Sequence, residues 1–364
     1  MKQDGYIADC SKMCMIGDVT PVARRLVDKT YEAMWAGIGR EMHEESQVLH
    51  YGQAGKGLAL QEGMVLFQNS MLWRLVVKFK VVVACAVLFF PSHLIADEGV
   101  LFSELRRIES DLDARVGFAA YDTETGMRWE YNSDQRFPLT STFKTLACAA
   151  LLERVDAGSE QLTRSISVAS SDLVTYSPVL EAYADNRDIT LAELCEATMT
   201  TSDNTAANLI LQNLGGPESI TAFARKLGDD VTRLDRWETE LNEAAPGDER
   251  DTTTPNAMIG NLEQLLLGNV LTEASIDLLK MWLVNNQVAD GLFRSVKPSD
   301  WIIGDRTGAG GFGSRAITAI IWPPERKPTF VVFYITETTA SFEERNTAIA
   351  QLGRVLIELI ESNE

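Results

Sequence analysis

The sequence predicts an α+β protein in which a five-stranded antiparallel sheet is flanked by terminal helices and carries an inserted all-helical lobe. Three observations predict this fold. Strand patterns cluster at residues 115–131 and 301–336, helical spacing of apolar residues fills 141–294, and amphipathic helices are predicted at 100–114 and 342–360. Because short turns join the consecutive strands, the sheet is expected to be antiparallel.

The individual elements follow from local signals. The first strand pair surrounds the turn Glu124-Thr125-Gly126, which indicates a hairpin. Glycines end two of the helical segments, at Gly158 and Gly215, and Pro255 precedes another. The predicted helices of the lobe span residues 142–157, 191–198, 205–213, 220–227 and 256–267. The predicted strands span residues 115–121, 127–131, 301–307, 316–322 and 329–336.

Charge is distributed unevenly along the chain. The 364 residues have a net charge of -19, yet residues 1–96 hold ten Lys or Arg against nine Asp or Glu, and residues 97–364 hold 23 against 43. This acidic field disfavours nucleic acid and anionic membranes as partners. An anionic substrate would therefore need local arginines to bind it.

Residues 71–96 have the pattern of a signal peptide. Basic residues follow Met71, an uncharged apolar run spans 81–90, and Ala96 precedes an acidic segment. The apolar run is short for a membrane span, although a retained membrane anchor stays an alternative. We therefore expect cleavage after Ala96, an exported domain at 97–364 with its helical lobe at about 141–295, and a periplasmic or secreted protein.

Seventy residues precede this signal pattern. They show no strong periodicity, and we expect residues 1–70 to be an N-terminal extension that is disordered or lies upstream of a true start at Met71. Cys10, Cys14, His43 and His50 lie here, but their spacing does not match a zinc site.

All three histidines, His43, His50 and His93, precede the expected cleavage site. A Ser-His-Asp or Cys-His catalytic centre and an ordinary zinc site are therefore excluded from the exported domain. Nucleophilic catalysis there would have to use a lysine or a carboxylate as the base.

Ser141 and Lys144 form such a pair. A serine at a helix start with a lysine three residues later places the amine on the same face as the hydroxyl, and the helix N-terminus offers N–H groups to an oxyanion. Ser202-Asp203-Asn204 follows, between two helical segments. For both motifs the alternative is a helix cap.

Cys148 and Cys195 are the two cysteines of the expected exported domain, and each lies seven residues from one of these serines. In an oxidising compartment two cysteines usually pair, and this bridge would clamp the two motifs together. Two buried free thiols remain the alternative.

Two further segments complete the set. Glu238 and Asn242 lie four apart in a charged loop that ends near Asp251, and on one helical turn they could hold and deprotonate a water. An ordinary solvated loop is the alternative. Arg306-Thr307-Gly308 opens a run with four glycines between residues 308 and 313, followed by Arg315.

These four elements, in this order, resemble the class A serine beta-lactamases over about residues 100–362. The resemblance implies the serine beta-lactamase and DD-peptidase type of fold, with the active site between sheet and lobe. It also implies hydrolysis of the beta-lactam ring of penicillins through a serine acyl-enzyme, and hence antibiotic resistance.

The resemblance also implies residue roles. Ser141 would be the nucleophile, Lys144 its proton partner, Ser202 the proton donor to the leaving nitrogen and Glu238 the base for the deacylating water. Ser141 and Ala309 N–H would form the oxyanion hole. Substrate-binding roles would fall to Asn204, Asn242, Tyr176, Arg306, Thr307, Gly308 and Arg315. Structural roles would fall to Asn208, to the ion pair of Arg236 with Asp251, and to Cys148 with Cys195.

One residue departs from the usual family pattern. Lysine usually occupies the position of Arg306, and arginine there is typical of the carbenicillin-hydrolysing penicillinases, which this chain resembles. Arginine keeps the charge and adds a planar fork suited to carboxylates. A penicillin with a second carboxylate is therefore a candidate substrate.

The rival interpretations are a penicillin-binding DD-peptidase, a membrane-anchored penicillin sensor and a serine-lysine amidase. Glu238 with Leu241 and Asn242 argues against the first two, because both would lack a productive deacylating water. The expected partner is a small beta-lactam, with no nucleic acid, no metal or other cofactor and no stable membrane association after signal cleavage. The expected state is a monomer.

Overall fold

The structure is a computed structural model that describes residues 92–185 and 187–362, with side chains from residue 99 onward. One five-stranded antiparallel sheet organises the fold, as predicted. Its strands are β1 Arg115–Asp122, β2 Arg128–Tyr131, β3 Ile302–Ala309, β4 Arg315–Trp322 and β5 Thr329–Thr336. Their order across the sheet is β2-β1-β5-β4-β3, so that the first hairpin pairs with the last strand.

Helices cover both faces of this sheet. β5 is buried at every position, and β4 is buried at every position except Trp322. Because side chains alternate between the faces, β5 contributes to two cores. Phe333 packs with Leu101 and Leu352 of the terminal helices, whereas Val332 packs with the helical lobe. Each such large apolar side chain stabilises the fold by roughly 1.5–3 kcal/mol.

The helices of the described residues divide between the two faces. They are α1 Ser92–Asp111, α2 Phe143–Asp156, α3 Leu191–Thr201, α4 Asn204–Leu214, α5 Glu218–Lys226, α6 Pro255–Leu266, α7 Glu273–Val284 and α8 Phe342–Ser362. α1 and α8 cover one face, and α2 to α7 form the predicted lobe on the other. Threonine caps fix several starts: Thr190, Thr254 and Thr272 each accept a bond from the N–H three residues later.

Helix α7 is an element that the sequence analysis did not single out. Its apolar residues between Ile276 and Val284 are nearly contiguous, so they do not form the single stripe that marks an amphipathic helix. This helix packs against the edge strand β3 and the neighbouring helices of the lobe, and Trp282 and Leu283 are buried there.

The predicted disulfide joins the two helices that follow and precede the serine motifs. Cys148 of α2 and Cys195 of α3 are bonded, with their Cα atoms 5.7 Å apart and a sequence separation of 47. Closing a loop of this length stabilises the folded state by roughly 4 kcal/mol in the chain-entropy model. The alternative of two free thiols is therefore wrong.

The first helix begins at Ser92, eight residues before the predicted start, and continues through Ala96. The expected extension at 1–70 and the apolar core of the expected signal peptide lie outside the described residues. Among the helices of residues 92–362, none is long and apolar enough to cross a membrane.

Candidate active site

Ser141 lies in a 3-10 turn, Thr140–Thr142, that leads directly into α2. The N-cap position of α2 is Thr142, so the helix-cap alternative for Ser141 is wrong. Ser141 is 8% exposed and lines a cleft between sheet and lobe. Gly308 of β3 passes so close that a Cβ there would collide with Thr140 Oγ1 and lie 3.0 Å from Ser141 N. A glycine is therefore required at this contact.

Lys144 is completely buried one turn below Ser141. Its ammonium donates to Ser202 O at 2.9 Å, to Ser202 Oγ at 3.2 Å and to Asn204 Oδ1 at 2.6 Å. It also lies 3.1 Å from Glu238 Oε1. The expected approach to the Ser141 hydroxyl is not among these hydrogen bonds. We call Lys144, Ser202, Asn204 and Glu238 the lysine end of the cleft.

Burial lowers the pKa of Lys144 to about 8 because the ammonium loses its hydration. The Glu238 carboxylate opposes this shift and Arg306 adds to it. An amine with such a pKa can exchange a proton near neutral pH, which an ordinary lysine does not do.

The Ser202-Asp203-Asn204 motif closes one helix and opens the next. Asp203 is the N-cap of α4, and its carboxylate also accepts bonds from Val179 N and Leu180 N, each at 3.0 Å. The cap interpretation is therefore confirmed for Asp203. Ser202 ends α3 with a φ of 65°, a strained value for a residue with a side chain. This turn leaves the Ser202 and Asn204 side chains facing Lys144.

Glu238 and Asn242 meet as predicted. Asn242 Nδ2 donates to Glu238 Oε2 at 2.5 Å, and a 3-10 turn, Glu240–Asn242, sets their spacing. Glu238 is 2% exposed. Asn208 of α4 holds the Glu238 backbone from both sides, because it donates to Glu238 O at 2.8 Å and accepts from Glu238 N at 2.9 Å. The position of this carboxylate is thus fixed relative to the lobe.

The loop that carries Glu238 is anchored at its base. Arg236 Nε lies 2.5 Å from Asp251 Oδ2, and Asp251 Oδ1 accepts from the backbone N–H groups of Asp235 and Arg236. The solvated-loop alternative is wrong, because Asp251 is 1% exposed and Arg236 is held on several sides. The glycine run contacts the same loop through a bond from Gly311 N to Asn242 O at 2.8 Å.

Arg306 and Arg315, which we call the arginine end, differ in exposure to the cleft. Arg306 is fully buried and donates to Ser141 O at 3.3 Å, Met199 O at 3.1 Å and Asn286 Oδ1 at 3.3 Å. Its Nη2 is buried without a hydrogen-bond partner among the described residues. Arg315 lines the cleft. Burial lowers the pKa of each guanidinium to about 10.

The cleft itself has a volume of about 320 Å³ and brings together most of the predicted residues. It is lined by Ser141, Tyr176, Ser202, Asn204, Asn242, Val288, Thr307, Gly308, Ala309, Arg315 and Phe342. Tyr176 is 54% exposed at the surface of the cleft. Lys144, Glu238 and Arg306 lie directly behind this lining rather than in it.

Several residues near the site were missed by sequence reasoning. Asn286 bonds to both Arg306 and Asp305, and Arg294 binds the Asp305 carboxylate at 2.8 and 3.0 Å. Burial raises the pKa of Asp305. Phe342 and Asn346 both contact Arg315. Of these contacts, the sequence could indicate only the proximity of Asp305 to Arg306, which are adjacent residues. The other partners are distant in sequence.

The comparisons with known proteins agree with this geometry. A model of the beta-lactamase enzyme family matches residues 101–360, which is most of the chain. The chain belongs to the beta-lactamase enzyme family. This beta-lactamase is 49% identical over 278 residues to Beta-lactamase CARB-4 of Pseudomonas aeruginosa, an alignment that covers 76% of this chain and 96% of the relative. Beta-lactamase AER-1 of Aeromonas hydrophila is 48% identical, with 76% and 91% covered.

Solved structures place the beta-lactamase in class A. An ancestral class A beta-lactamase superposes with a TM-score of 0.69 and 52% identity, covering 71% of this chain and 99% of its own. The chromosome-encoded beta-lactamase of Vibrio parahaemolyticus gives a TM-score of 0.70 and 45% identity, with 72% and 99% covered. The predicted resemblance and fold class are confirmed, and the enzyme is a serine beta-lactamase.

Proposed function

We propose that this beta-lactamase hydrolyses penicillins with Ser141 as its nucleophile and with the residues of the lysine end as its proton-handling groups. The observation that carries the proposal is the buried ammonium of Lys144. It contacts Ser202, Asn204 and Glu238 at once, beneath the turn that presents Ser141. Burying a charge is costly unless good partners hold it, so an arrangement like this differs from an ordinary surface ion pair.

Acylation uses Ser141 together with Lys144, Glu238 and Ser202. Ser141 Oγ attacks the lactam carbonyl while its proton passes to the Lys144 and Glu238 pair. The C–N bond then breaks, and the nitrogen receives a proton from Ser202, which is replenished through its 3.2 Å contact with Lys144 Nζ. Ser141 N–H and Ala309 N–H stabilise the oxyanion, and such a donor contributes roughly 3–4 kcal/mol in other enzymes.

Deacylation uses Glu238 and Asn242. Glu238 Oε1 and Asn242 Oδ1 are both buried and accept no hydrogen bond from the described residues, although Glu238 Oε1 lies 3.1 Å from the Lys144 ammonium. Two such acceptors suit one bound water, because buried polar atoms are normally satisfied. Glu238 takes a proton from this water, whose oxygen attacks the ester carbonyl. The bond to Ser141 Oγ then breaks, Glu238 returns the proton to that oxygen, and the open-ring acid leaves.

The arginine end would bind the substrate carboxylate. Thr307, Gly308 and Arg315 line the cleft, and Arg306 supports it from behind. Arg306 and Arg315 are buried and form no ion pair with a carboxylate among the described residues, so they provide a positive potential inside an acidic domain. A penicillin with a second carboxylate, such as carbenicillin, is the substrate class that would benefit most.

Turnover tests the proposal. The purified protein is mixed with an excess of a penicillin or chromogenic beta-lactam, without added metal, and the products per enzyme are counted. We expect many turnovers, and none above background for Ser141→Ala. A single stoichiometric burst would instead indicate a penicillin sensor or a DD-peptidase.

We further propose that residues 71–96 are a signal peptide and that residues 97–364 act as an exported monomer. The Cys148–Cys195 bond supports export, because such bonds persist in oxidising compartments. The N-terminal mass of the exported protein tests this: a start at Asp97 is expected, and a chain that retains Met71 would indicate an uncleaved anchor.

A further inference from the structure

An aromatic ring lies directly against the cleft-lining arginine. Phe342, the first residue of α8, lines the cleft with Arg315 and is 49% exposed. Arg315 Cζ lies 4.8 Å from the centroid of this ring. A guanidinium at this distance is attracted by the negative face of the ring.

Arg315 is otherwise held by two neutral acceptors. Its Nε donates to Asn346 Oδ1 at 2.8 Å and its Nη1 donates to Gly308 O at 2.9 Å. These bonds use two of the roughly five N–H donors of a guanidinium. Within residues 92–362 no carboxylate forms an ion pair with Arg315. The remaining donors are therefore available to a ligand.

The surroundings of Arg315 are unfavourable to its charge. Burial lowers its pKa, and Arg306 and Arg345 add repulsion. The Phe342 ring opposes this effect without competing for N–H donors, because it offers its face rather than an acceptor atom. The ring is itself near a second cation, since Arg345 Cζ lies 5.6 Å from its centroid. Arg345 is tied to Ser341 O at 3.1 Å.

We propose that Phe342 is a positioning residue, whose ring holds the Arg315 guanidinium in the orientation that binds the substrate carboxylate. The proposal rests on the proposed function, in which Arg315 binds that group. Replacing an ordinary exposed apolar residue would not affect substrates differently according to their charge. A positioning ring affects the binding of carboxylate substrates and spares the chemical step.

Four variants test this proposal with a penicillin and its uncharged methyl ester. Phe342→Leu keeps apolar bulk and removes the aromatic face, whereas Phe342→Tyr keeps the face. Phe312→Leu is the matched control, because Phe312 is also about half exposed, at 53%, and makes no cation contact among the described residues. Arg315→Ala tests the underlying role of the arginine.

We expect Phe342→Leu to raise KM for the penicillin about 3- to 10-fold with kcat unchanged, in line with a modest cation–π contact. Phe342→Tyr should restore the parent KM, and Phe312→Leu should match the parent. The ester should show no added loss. In an Arg315→Ala background, Phe342→Leu should have no further effect, because the group that it positions is gone.

Three results would overturn the proposal and leave the proposed function intact. The first is an unchanged KM in Phe342→Leu while Arg315→Ala discriminates between penicillin and ester. The second is an equal loss in Phe342→Leu and Phe342→Tyr. The third is a loss in Phe342→Leu that is equal for penicillin and ester. If Arg315→Ala itself fails to discriminate, the carboxylate-binding role of Arg315 fails, and the role of Phe342 fails with it.

Discussion

The two ends of the cleft differ in how their buried positive charges are compensated. At the lysine end the ammonium of Lys144 has a carboxylate within 3.1 Å and two hydroxyl or amide acceptors. At the arginine end the hydrogen bonds that Arg306 and Arg315 donate within the described residues all go to carbonyl or amide oxygens. The lysine end contains one positive and one negative charge, so its net charge is zero and a proton can pass between its own groups. The arginine end has surplus positive charge that an anionic substrate would neutralise.

The largest effect is expected from breaking the lysine end. Lys144→Met removes the ammonium that links Ser202, Asn204 and Glu238, so kcat/KM should fall roughly 10²- to 10⁴-fold, the range for losing a general acid or base. Stopped-flow acylation with a penicillin would measure the loss. Lys226→Met is the control, because its exposed ion pair with Glu153 should contribute little. Near-parent acylation in Lys144→Met would contradict the account.

A smaller effect is expected at the arginine end. Arg315→Ala should cost about 1.5–3 kcal/mol in kcat/KM for a carboxylate substrate, as expected for a lost charged hydrogen bond. The loss should be largest for a penicillin with two carboxylates and smallest for an ester. A substrate panel measured at constant ionic strength checks this, and equal losses across the panel would refute the assignment of this end.

The two ends should also differ in their effect on the pH dependence of stability. The pKa of Lys144 is about 8 in the folded state against 10.5 unfolded, so the unfolded chain binds the extra proton between these values. The unfolding free energy therefore rises with pH in that window, by up to about 1.4 kcal/mol per unit. Lys144→Met should remove this rise between pH 8 and 9.5.

Arg315→Met is the matched comparison for that measurement. Its pKa is about 10 in the folded state, so its contribution should begin only above this pH. Urea unfolding of both variants from pH 8 to 9.5 should show a changed slope for Lys144→Met alone. Equal slopes for the two variants would mean that the lysine end is not where the titrating charge lies.

The smallest effect is expected from Arg306→Lys. Lysine keeps the charge but cannot span Ser141 O, Met199 O and Asn286 Oδ1 as a planar fork does. The loss should equal about one hydrogen bond, ~1 kcal/mol, or about 5-fold in kcat/KM. A loss as large as that of Arg315→Ala would show that Arg306 contacts the substrate directly.

The sequence predicted the fold well because its signals are local or periodic. Strand patterns with short turns marked the sheet, and glycines marked helix ends. Ser141 and Lys144 are close in sequence, as are Glu238 and Asn242. The sequence did not predict that Lys144 bonds to Ser202 rather than to Ser141. That choice depends on how α3 turns at Ser202, which is a tertiary feature.

The arginine end was predicted only in part for the same reason. The pattern Arg306-Thr307-Gly308 identified a cationic strand, but the complete burial of Arg306 depends on Met199 and Asn286, which no local spacing connects to it. Phe342 and Asn346 reach Arg315 only because α8 begins beside β4. Contacts between elements far apart in sequence leave no periodic signal.

The most direct test of the account is the intact mass of the Glu238→Gln variant after incubation with a penicillin. Gln keeps the size and the contact to Asn242 but cannot deprotonate a water. We predict a stable mass increase equal to one penicillin, mapped by peptide analysis to Ser141, while the parent protein returns to its own mass after turnover. An unmodified variant, or one that turns over like the parent, would contradict the central claim that Ser141 is acylated and Glu238 drives its release.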